Sequence, residues 1–177
     1  LFPQAVWLRV IGRLAFPLFS YCIAEGCRYT RNKARYFGSV FACGAVCVIA
    51  FLPFGGFCGN ALITLSLSIL LLYGVEAWKS SGKLRFLALP AALAAVFYLL
   101  CRTVYIDYGF AGVLLPVYAA AGRILWERVF ADIPPVIGER LGFAIGLLAL
   151  AGVMGGVQRF CVLAIFPILL LGNERGK

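Results

Sequence analysis

The sequence predicts an all-α protein, a polytopic transmembrane helix bundle with about seven spans. Of its 177 residues 63% are hydrophobic and 13% are charged, whereas a soluble domain is about 45–50% apolar and about 25% charged. The mean hydropathy is +0.98. The chain contains 20 glycines and 8 prolines, and both residues are commoner in membrane helices than in soluble ones. We therefore treat residues 1–177 as a single transmembrane domain.

Apolar stretches long enough to cross a bilayer define the predicted spans. A hydrocarbon core of about 30 Å needs about 20 apolar helical residues. Residues 126–140 form the longest polar stretch, and we interpret residues 141–171 as two short helices with a turn at 155–159. A single long tilted helix or a re-entrant pair is the alternative there. The other five spans are predicted at residues 6–27, 37–54, 61–78, 86–101 and 110–125.

Positive charge is distributed unevenly among the predicted loops. With seven spans, twelve of the sixteen Lys and Arg residues fall on one side, and the loops of the other side carry only Arg102 and Arg159. Because cytoplasmic loops are enriched in Lys and Arg, we expect Arg31 and Lys83 to face the cytoplasm and Asp107 to face outward. The net charge of +9 thus reflects topology and contact with membrane lipid, and we predict no nucleic-acid partner.

Histidine is absent, and the cysteines lack metal-ligand spacing. The absence of histidine removes the commonest general base and metal ligand from this segment. The seven cysteines include no Cys-x-x-Cys pair, so we interpret them as small packing residues and predict no metal site. The chain begins at Leu1 instead of Met and ends in a loop-like stretch at 172–177. We therefore expect residues to be missing at both ends.

Polar residues from separate spans converge on the predicted outer side of the membrane. Arg9 and Arg13 are four residues apart, so they project from one helix face, and intramembrane charge costs about 2.5–3.5 kcal/mol per residue. Asn60 and Thr64 have the same spacing at the outer start of the third span, and Asp107 precedes the fifth. Two alternatives stay open: the arginines snorkel to the interface, and Asn60 is a helix N-cap, which we favour slightly.

Asp107 is the predicted partner of Arg13. Arg13 lies about two helical turns inside the first span, where an unpaired guanidinium is costly. The other acidic residues fall on the cytoplasmic side, and Glu25 lies about 18 Å along the same helix. We expect the Asp107 carboxylate within about 4 Å of Arg13 or of its competitor Arg9. Such a pair would orient a guanidinium as a donor to a developing oxyanion.

A dense basic segment follows the first span. Glu25 lies three residues before Arg28 and can pair with it. The segment is consistent with positive-inside topology and anionic lipid, which we favour, or with a phosphate-rich ligand such as a coenzyme A nucleotide. Its basic residues are Arg28, Arg31, Lys33 and Arg35.

Glycines spaced four residues apart mark a helix packing face. Gly138, Gly142 and Gly146 would lie on one side of a helix, and small residues there permit close approach of a neighbouring helix. We find no convincing internal repeat, which weakens the interpretation as an inverted-repeat transporter.

Three motifs resemble the TraX family in sequence and in order. The resemblance covers about residues 9–116, and its first motif is the most specific. The motifs are Ile11–Pro17 with Glu25-Gly26, Thr30–Lys33 and Tyr36; Asn60–Leu65; and Asp107–Phe110 with Gly112. This family acetylates the N-terminal residue of F-type conjugative pilin and is related to membrane acyltransferases that use acyl-CoA. It has a histidine upstream of the first motif and another near the C-terminus, and neither is present in this chain.

The resemblance implies an integral membrane acetyltransferase of a bacterial inner or plasma membrane, with acetyl-CoA as donor. The acceptor would be an amine or hydroxyl, such as a pilin N-terminus, and the base would be a histidine outside this chain. The alternatives are a small-solute transporter or channel-like protein, and a scaffold without a ligand. The implied site residues are Arg9, Arg13, Asp107 and Tyr108 for catalysis, Asn60, Thr64 and Glu25 for the acceptor substrate, and Arg28, Arg31, Lys33 and Arg35 for acetyl-CoA.

Overall fold

The computed structural model describes residues 6–55, 59–130 and 132–170. Over these residues the chain is helical and contains no β-strand, which confirms the all-α prediction. Two 3₁₀ segments, Leu84–Leu87 and Gly156–Ala164, accompany the α-helices. The α-helices are α1 Val6–Tyr29, α2 Lys33–Gly55, α3 Ala61–Ser81, α4 Ala88–Thr103, α5 Gly109–Val129, α6 Pro135–Val153 and α7 Ile165–Leu170.

Five helical segments of the described chain are long and apolar enough to cross a membrane, and they make this a multi-pass helical membrane protein. α1 contains 24 residues with Pro17 inside it, and the apolar stretch Arg159–Leu170 is shorter than a span. The predicted number of seven spans therefore stays a prediction. The five segments are Lys33–Pro53, Ala61–Ser81, Arg85–Thr103, Gly109–Val129 and Pro135–Val153.

Helices occupy most of the polar stretch at 126–140, so the spans predicted to end at 125 and to begin at 141 were too short. α5 continues to Val129 and α6 begins at Pro135, so helices enter the stretch from both sides. Charged residues extend α5 because Arg123 pairs with Glu127 one turn later at 2.8 Å. Proline suits the first turn of α6 because the N–H that it lacks would have no helical partner there. The predicted interruption at 155–159 is confirmed, since α6 ends at Val153.

The chain forms two compact units, and each is described separately. The first unit comprises Leu1–Cys22 and Tyr118–Lys177, and the second comprises Ile23–Val117. In the second unit, α3 packs against both α2 and α4. A buried cluster of Leu71, Phe97 and Val113 joins α3, α4 and the start of α5. α3 is therefore the central element of the second unit.

Close helix contact in the first unit involves the predicted glycine face of α6. A Cβ atom on Gly122 of α5 would lie 2.7 Å from the Cα of Gly142, so no side chain fits between the two backbones. A Cβ on Gly146 would lie 2.9 Å from the Tyr118 side chain, and one on Gly138 would lie 2.6 Å from Cγ of Trp126. The prediction that these glycines form a packing face is confirmed.

Candidate functional site

Residues from two distant segments meet at the beginning of α3. The N–H of Gly59 donates to the carbonyl of Tyr105 at 2.9 Å, and the N–H of Asp107 donates to the carbonyl of Gly59 at 2.8 Å. A Cβ on Gly59 would lie 3.0 Å from Cγ1 of Ile106, so glycine permits this close approach. We call Gly59, Asn60, Thr64, Asp107 and Tyr108 the α3 N-terminal cluster.

Asn60 caps α3 and also binds α2. Its Oδ1 accepts a hydrogen bond from the N–H of Ile63 at 3.0 Å, and its backbone is extended, as at an N-cap. Its Nδ2 donates to the carbonyl of Gly44 in α2 at 2.9 Å. The N-cap interpretation is therefore confirmed, and the substrate-binding role assigned to Asn60 stays a prediction.

The N-cap Asn60 and two polar residues of α3, Thr64 and Ser68, form a ladder of hydrogen bonds to the backbone of other segments. Thr64 Oγ1 donates to the carbonyl of Asp107 at 2.5 Å. Ser68 Oγ donates to the carbonyl of Val113 in α5 at 2.9 Å, and Asn60 completes the ladder through α2. The side chains follow one another at every fourth residue, so they share one helix face. Ser68 was missed by the sequence analysis, although its spacing from Thr64 repeats that of Thr64 from Asn60.

The backbone of Asp107 is fixed by hydrogen bonds, and its side chain is partly exposed to the surroundings. Its N–H and its carbonyl are both hydrogen-bonded, to Gly59 and to Thr64 respectively, while the residue itself is partly exposed. Within the described part of the second unit, its carboxylate forms no ion pair. Tyr108 follows with φ +63° and Gly109 with φ +51°. A left-handed backbone is uncommon for a bulky residue, and such strain is concentrated at functional sites.

The two predicted catalytic arginines belong to the other unit. Arg9 and Arg13 lie on α1 within Leu1–Cys22, whereas Asp107 belongs to Ile23–Val117. Arg13 is partly buried, and the side chain of Arg9 lies outside the described residues. The ion pair between Asp107 and either arginine stays a prediction.

A second cluster lies at the opposite end of α3. Lys33 Nζ forms an ion pair with Glu76 Oε2 at 2.5 Å and lies 5.3 Å from the centre of the Tyr73 ring. The Tyr73 hydroxyl donates to the carbonyl of Lys33 at 3.1 Å, and the buried Cys27 thiol lies close enough to interact electrostatically with it. Tyr36 packs against Gly26, where a Cβ would lie 2.8 Å from Cζ of the ring. We call Cys27, Lys33, Tyr36, Tyr73 and Glu76 the α3 C-terminal cluster.

The predicted acetyl-CoA ligands differ in their surroundings. Arg31, Lys33 and Arg35 are all exposed at or just before the start of α2, but Lys33 is neutralised by Glu76. The Arg28 guanidinium stacks over the Tyr29 ring at 4.7 Å. Glu25 is partly buried and is not free of polar or electrostatic contacts. Arg31 and Arg35 are therefore the exposed cations of the predicted set that form no ion pair within the described residues.

A comparison with known families agrees with the motifs. The family model described as TraX protein matches residues 2–174. The chain belongs to the TraX family. This match confirms the resemblance and extends it through α6, beyond the motifs that end near residue 116.

The TraX-family chain is also similar to a curated protein of Dichelobacter nodosus, named probable fimbrial assembly protein FimC, serogroup H1. The two are 30% identical over 115 residues, which cover 58% of this chain and 44% of the relative. The chain therefore spans less than half the length of this curated relative. No solved structure matches the chain.

The first unit of the TraX-family chain holds a charged group whose two acids, Glu127 and Glu139, lie in the polar stretch at 126–140. Arg123 Nε donates to Glu127 Oε1 at 2.8 Å, and its Nη1 lies 3.6 Å from Oε2 of Glu139. Glu139 is only 3% exposed. Burial of a carboxylate requires a compensating cation, so Arg123 ties α6 to α5. The four-residue spacing of Arg123 and Glu127 could have predicted their ion pair on a helix.

Proposed function

We propose that this TraX-family chain is part of an integral membrane acetyltransferase. The enzyme transfers the acetyl group of acetyl-CoA to an amine or hydroxyl acceptor, such as the N-terminal amine of a pilin subunit, in a bacterial inner or plasma membrane. Membership of the TraX family supports the reaction class. A relative named as a fimbrial assembly protein supports a role connected with pili.

The observation that carries this proposal is the meeting of two family-like motifs at the beginning of α3. The motif at Asn60–Leu65 and the motif at Asp107–Phe110 are joined by the hydrogen bond from Thr64 to Asp107. The second motif contains the partly exposed carboxylate of Asp107, followed by Tyr108, whose backbone is left-handed. Catalysis requires reactive groups to be held in a fixed geometry, and these hydrogen bonds fix the backbone of Asp107.

Acetyl transfer needs a base and oxyanion-stabilising donors from the protein. The acceptor nitrogen or oxygen attacks the thioester carbonyl, the new bond to carbon forms, and the carbon–sulfur bond breaks as coenzyme A leaves and is protonated. A base must take the acceptor proton, and donors must stabilise the oxyanion. Asp107 would orient the acceptor, and Arg9 and Arg13 stay the predicted oxyanion donors. The base would be a histidine outside this chain, as the family resemblance implies.

The donor nucleotide would bind at the opposite end of α3. Arg31 and Arg35 offer exposed guanidinium groups, and guanidinium forms bidentate hydrogen bonds to phosphate. Lys33 would stabilise the loop through Glu76 and contribute less to phosphate binding.

Label transfer in vesicles tests the proposal. The full-length protein is reconstituted and given acetyl-labelled coenzyme A with a peptide that carries a pilin N-terminus or with a simple primary amine. We expect label on the acceptor, and a loss of roughly 10²-fold in turnover for Asp107→Asn, the scale typical of a lost catalytic or orienting group. The matched control is Asp132→Asn, which changes an exposed acid between α5 and α6.

Two outcomes would contradict the proposal. One is a folded wild-type protein that labels none of the amine or hydroxyl acceptors. The other is equal loss of turnover in both aspartate variants. Solute flux through the same vesicles in the absence of label transfer would support the transporter hypothesis instead.

A further inference from the structure

We propose that Thr64 is a positioning residue that fixes the Asp107 carboxylate through the main chain. This inference rests on the proposed function, and it gives Thr64 a role different from acceptor binding. The Thr64 hydroxyl donates to the Asp107 carbonyl at 2.5 Å, and Thr64 is 0% exposed. A side chain so buried cannot contact the acetyl acceptor directly, but it can position Asp107, which is partly exposed.

Both peptide groups that flank the Asp107 Cα are fixed. The preceding peptide is held because the Asp107 N–H donates to the carbonyl of Gly59 at 2.8 Å. The following peptide is held because the Asp107 carbonyl accepts a hydrogen bond from the Thr64 hydroxyl at 2.5 Å. With both planes fixed, φ and ψ of Asp107 have little freedom, so the direction of its Cα–Cβ bond is set, and with it the region that the carboxylate can reach.

The hydrogen bond from Thr64 also supports the unusual conformation of Tyr108. The peptide plane that Thr64 holds is the one that joins Asp107 to Tyr108, whose φ is +63°. A bulky residue keeps a left-handed backbone only where its surroundings over-determine it. Without the Thr64 hydroxyl this peptide is released, Tyr108 can relax toward negative φ, and the carboxylate moves with it.

Ser68 supplies a matched control one helical turn away. It is also 0% exposed, and its hydroxyl also donates to a backbone carbonyl of a later segment, that of Val113 at 2.9 Å. Loss of the Ser68 hydroxyl removes a buried hydrogen bond of the same kind without touching Asp107. A purely structural role for Thr64 would make the two residues equivalent.

The test compares Thr64→Val, Thr64→Ser and Ser68→Ala in the reconstituted full-length protein. We expect Thr64→Val to lower kcat by roughly 10²-fold, the scale of about a 1 Å misplacement, with little change in KM for acetyl-CoA. Thr64→Ser keeps the donor and should restore kcat to within about threefold of the wild type. Ser68→Ala should stay within the same range. Combining Thr64→Val with Asp107→Asn should cost no more than Asp107→Asn alone, because residues that act as a unit are non-additive.

Hydrogen exchange of the amides in residues 105–110 gives a readout that does not depend on activity. We expect faster exchange in Thr64→Val and no change in Ser68→Ala. Equal effects of Thr64→Val and Ser68→Ala on kcat, or unchanged exchange in Thr64→Val, would overturn the positioning role. An inactive wild-type protein would overturn the proposed function instead, and the exchange measurement would then decide the role of Thr64.

Discussion

The two ends of α3 are held by different kinds of interaction. At its beginning, neutral side chains donate to backbone carbonyls from buried positions, as Thr64 and Ser68 do. At its end, Lys33 and Glu76 form an ion pair whose side chains are 48% and 46% exposed. One end is therefore fixed by buried hydrogen bonds, and the other by charges that water and salt can screen.

This difference indicates what each end is suited to do. A buried donor that loses its partner costs about 1–3 kcal/mol, so the α3 N-terminal cluster has one favoured geometry. An exposed ion pair contributes about 0–1 kcal/mol, so the α3 C-terminal cluster can rearrange at little cost. Fixed geometry suits reacting groups, whereas adjustable cations suit a flexible phosphate-bearing ligand.

The largest expected effect on stability is at Asn60. Asn60→Ala removes both the N-cap of α3 and the hydrogen bond to Gly44, and the two together are worth about 2–3 kcal/mol. Denaturant unfolding of the protein in detergent micelles measures it. Asn60→Asp is the control, because it keeps the capping acceptor and loses only the donor. A change below about 0.5 kcal/mol in Asn60→Ala would remove the contrast between the two ends.

The next largest effect is expected on ligand affinity at the C-terminal end of α3. Arg31→Gln combined with Arg35→Gln should weaken binding of a coenzyme A nucleotide roughly tenfold, because charge-assisted hydrogen bonds to phosphate are lost. Lys33→Gln should weaken it less, since Glu76 already neutralises Lys33. Isothermal titration at low and high salt measures both. If Lys33→Gln has the larger effect, the ion pair opens to bind phosphate and our assignment is wrong.

Tyr108 should show opposite effects on stability and turnover. Tyr108→Asn places a residue that tolerates a left-handed backbone at φ +63°, so we expect a gain of up to about 1 kcal/mol in the free energy of unfolding. Turnover should fall because the phenol is lost. Tyr105→Asn is the control, an exposed tyrosine in the same segment. A loss of stability in Tyr108→Asn would show that its side-chain contacts outweigh the backbone strain.

The smallest effect is expected at the exposed ion pair. Glu76→Gln should lower the free energy of unfolding by less than about 1 kcal/mol, and the difference should vanish at 1 M salt, where the Debye length is about 3 Å. Unfolding curves at two salt concentrations measure it. A larger, salt-independent loss would mean that both ends of α3 are equally rigid.

Hydropathy was sufficient to predict most of the fold. The predicted third span at 61–78 corresponds to α3, Ala61–Ser81, because a long apolar run has few alternatives in a membrane. The helix ends around the polar stretch at 126–140 were misjudged because the charges there are paired: Arg123, near the end of the predicted fifth span, pairs with Glu127 and lies close to Glu139. Hydropathy scores each charge singly and therefore underestimates helices that carry ion pairs.

The site was only partly predictable. The N-cap role of Asn60 is a local rule, so the sequence was enough to suggest it. The partner of Thr64 is a main-chain carbonyl 43 residues later, and a carbonyl leaves no signature in the sequence. Glu76 likewise lies 43 residues from Lys33, so Lys33 resembled the other basic residues of its loop until the structure paired it.

The ladder on α3 has a consequence for the order in which the protein enters the bilayer. The Ser68 hydroxyl lies 3.0 Å from the carbonyl of Thr64, and the Thr64 hydroxyl lies 3.4 Å from that of Asn60, so each has a second acceptor one turn back in its own helix. These local acceptors exist as soon as α3 is made, and they cover the hydroxyls while the helix is surrounded by lipid. The later acceptors, on Asp107 and Val113, are synthesised afterwards. α3 can therefore move from the translocon into the bilayer before α5 is made. When the start of α5 packs against α3, each hydroxyl changes its acceptor to a carbonyl of the later segment.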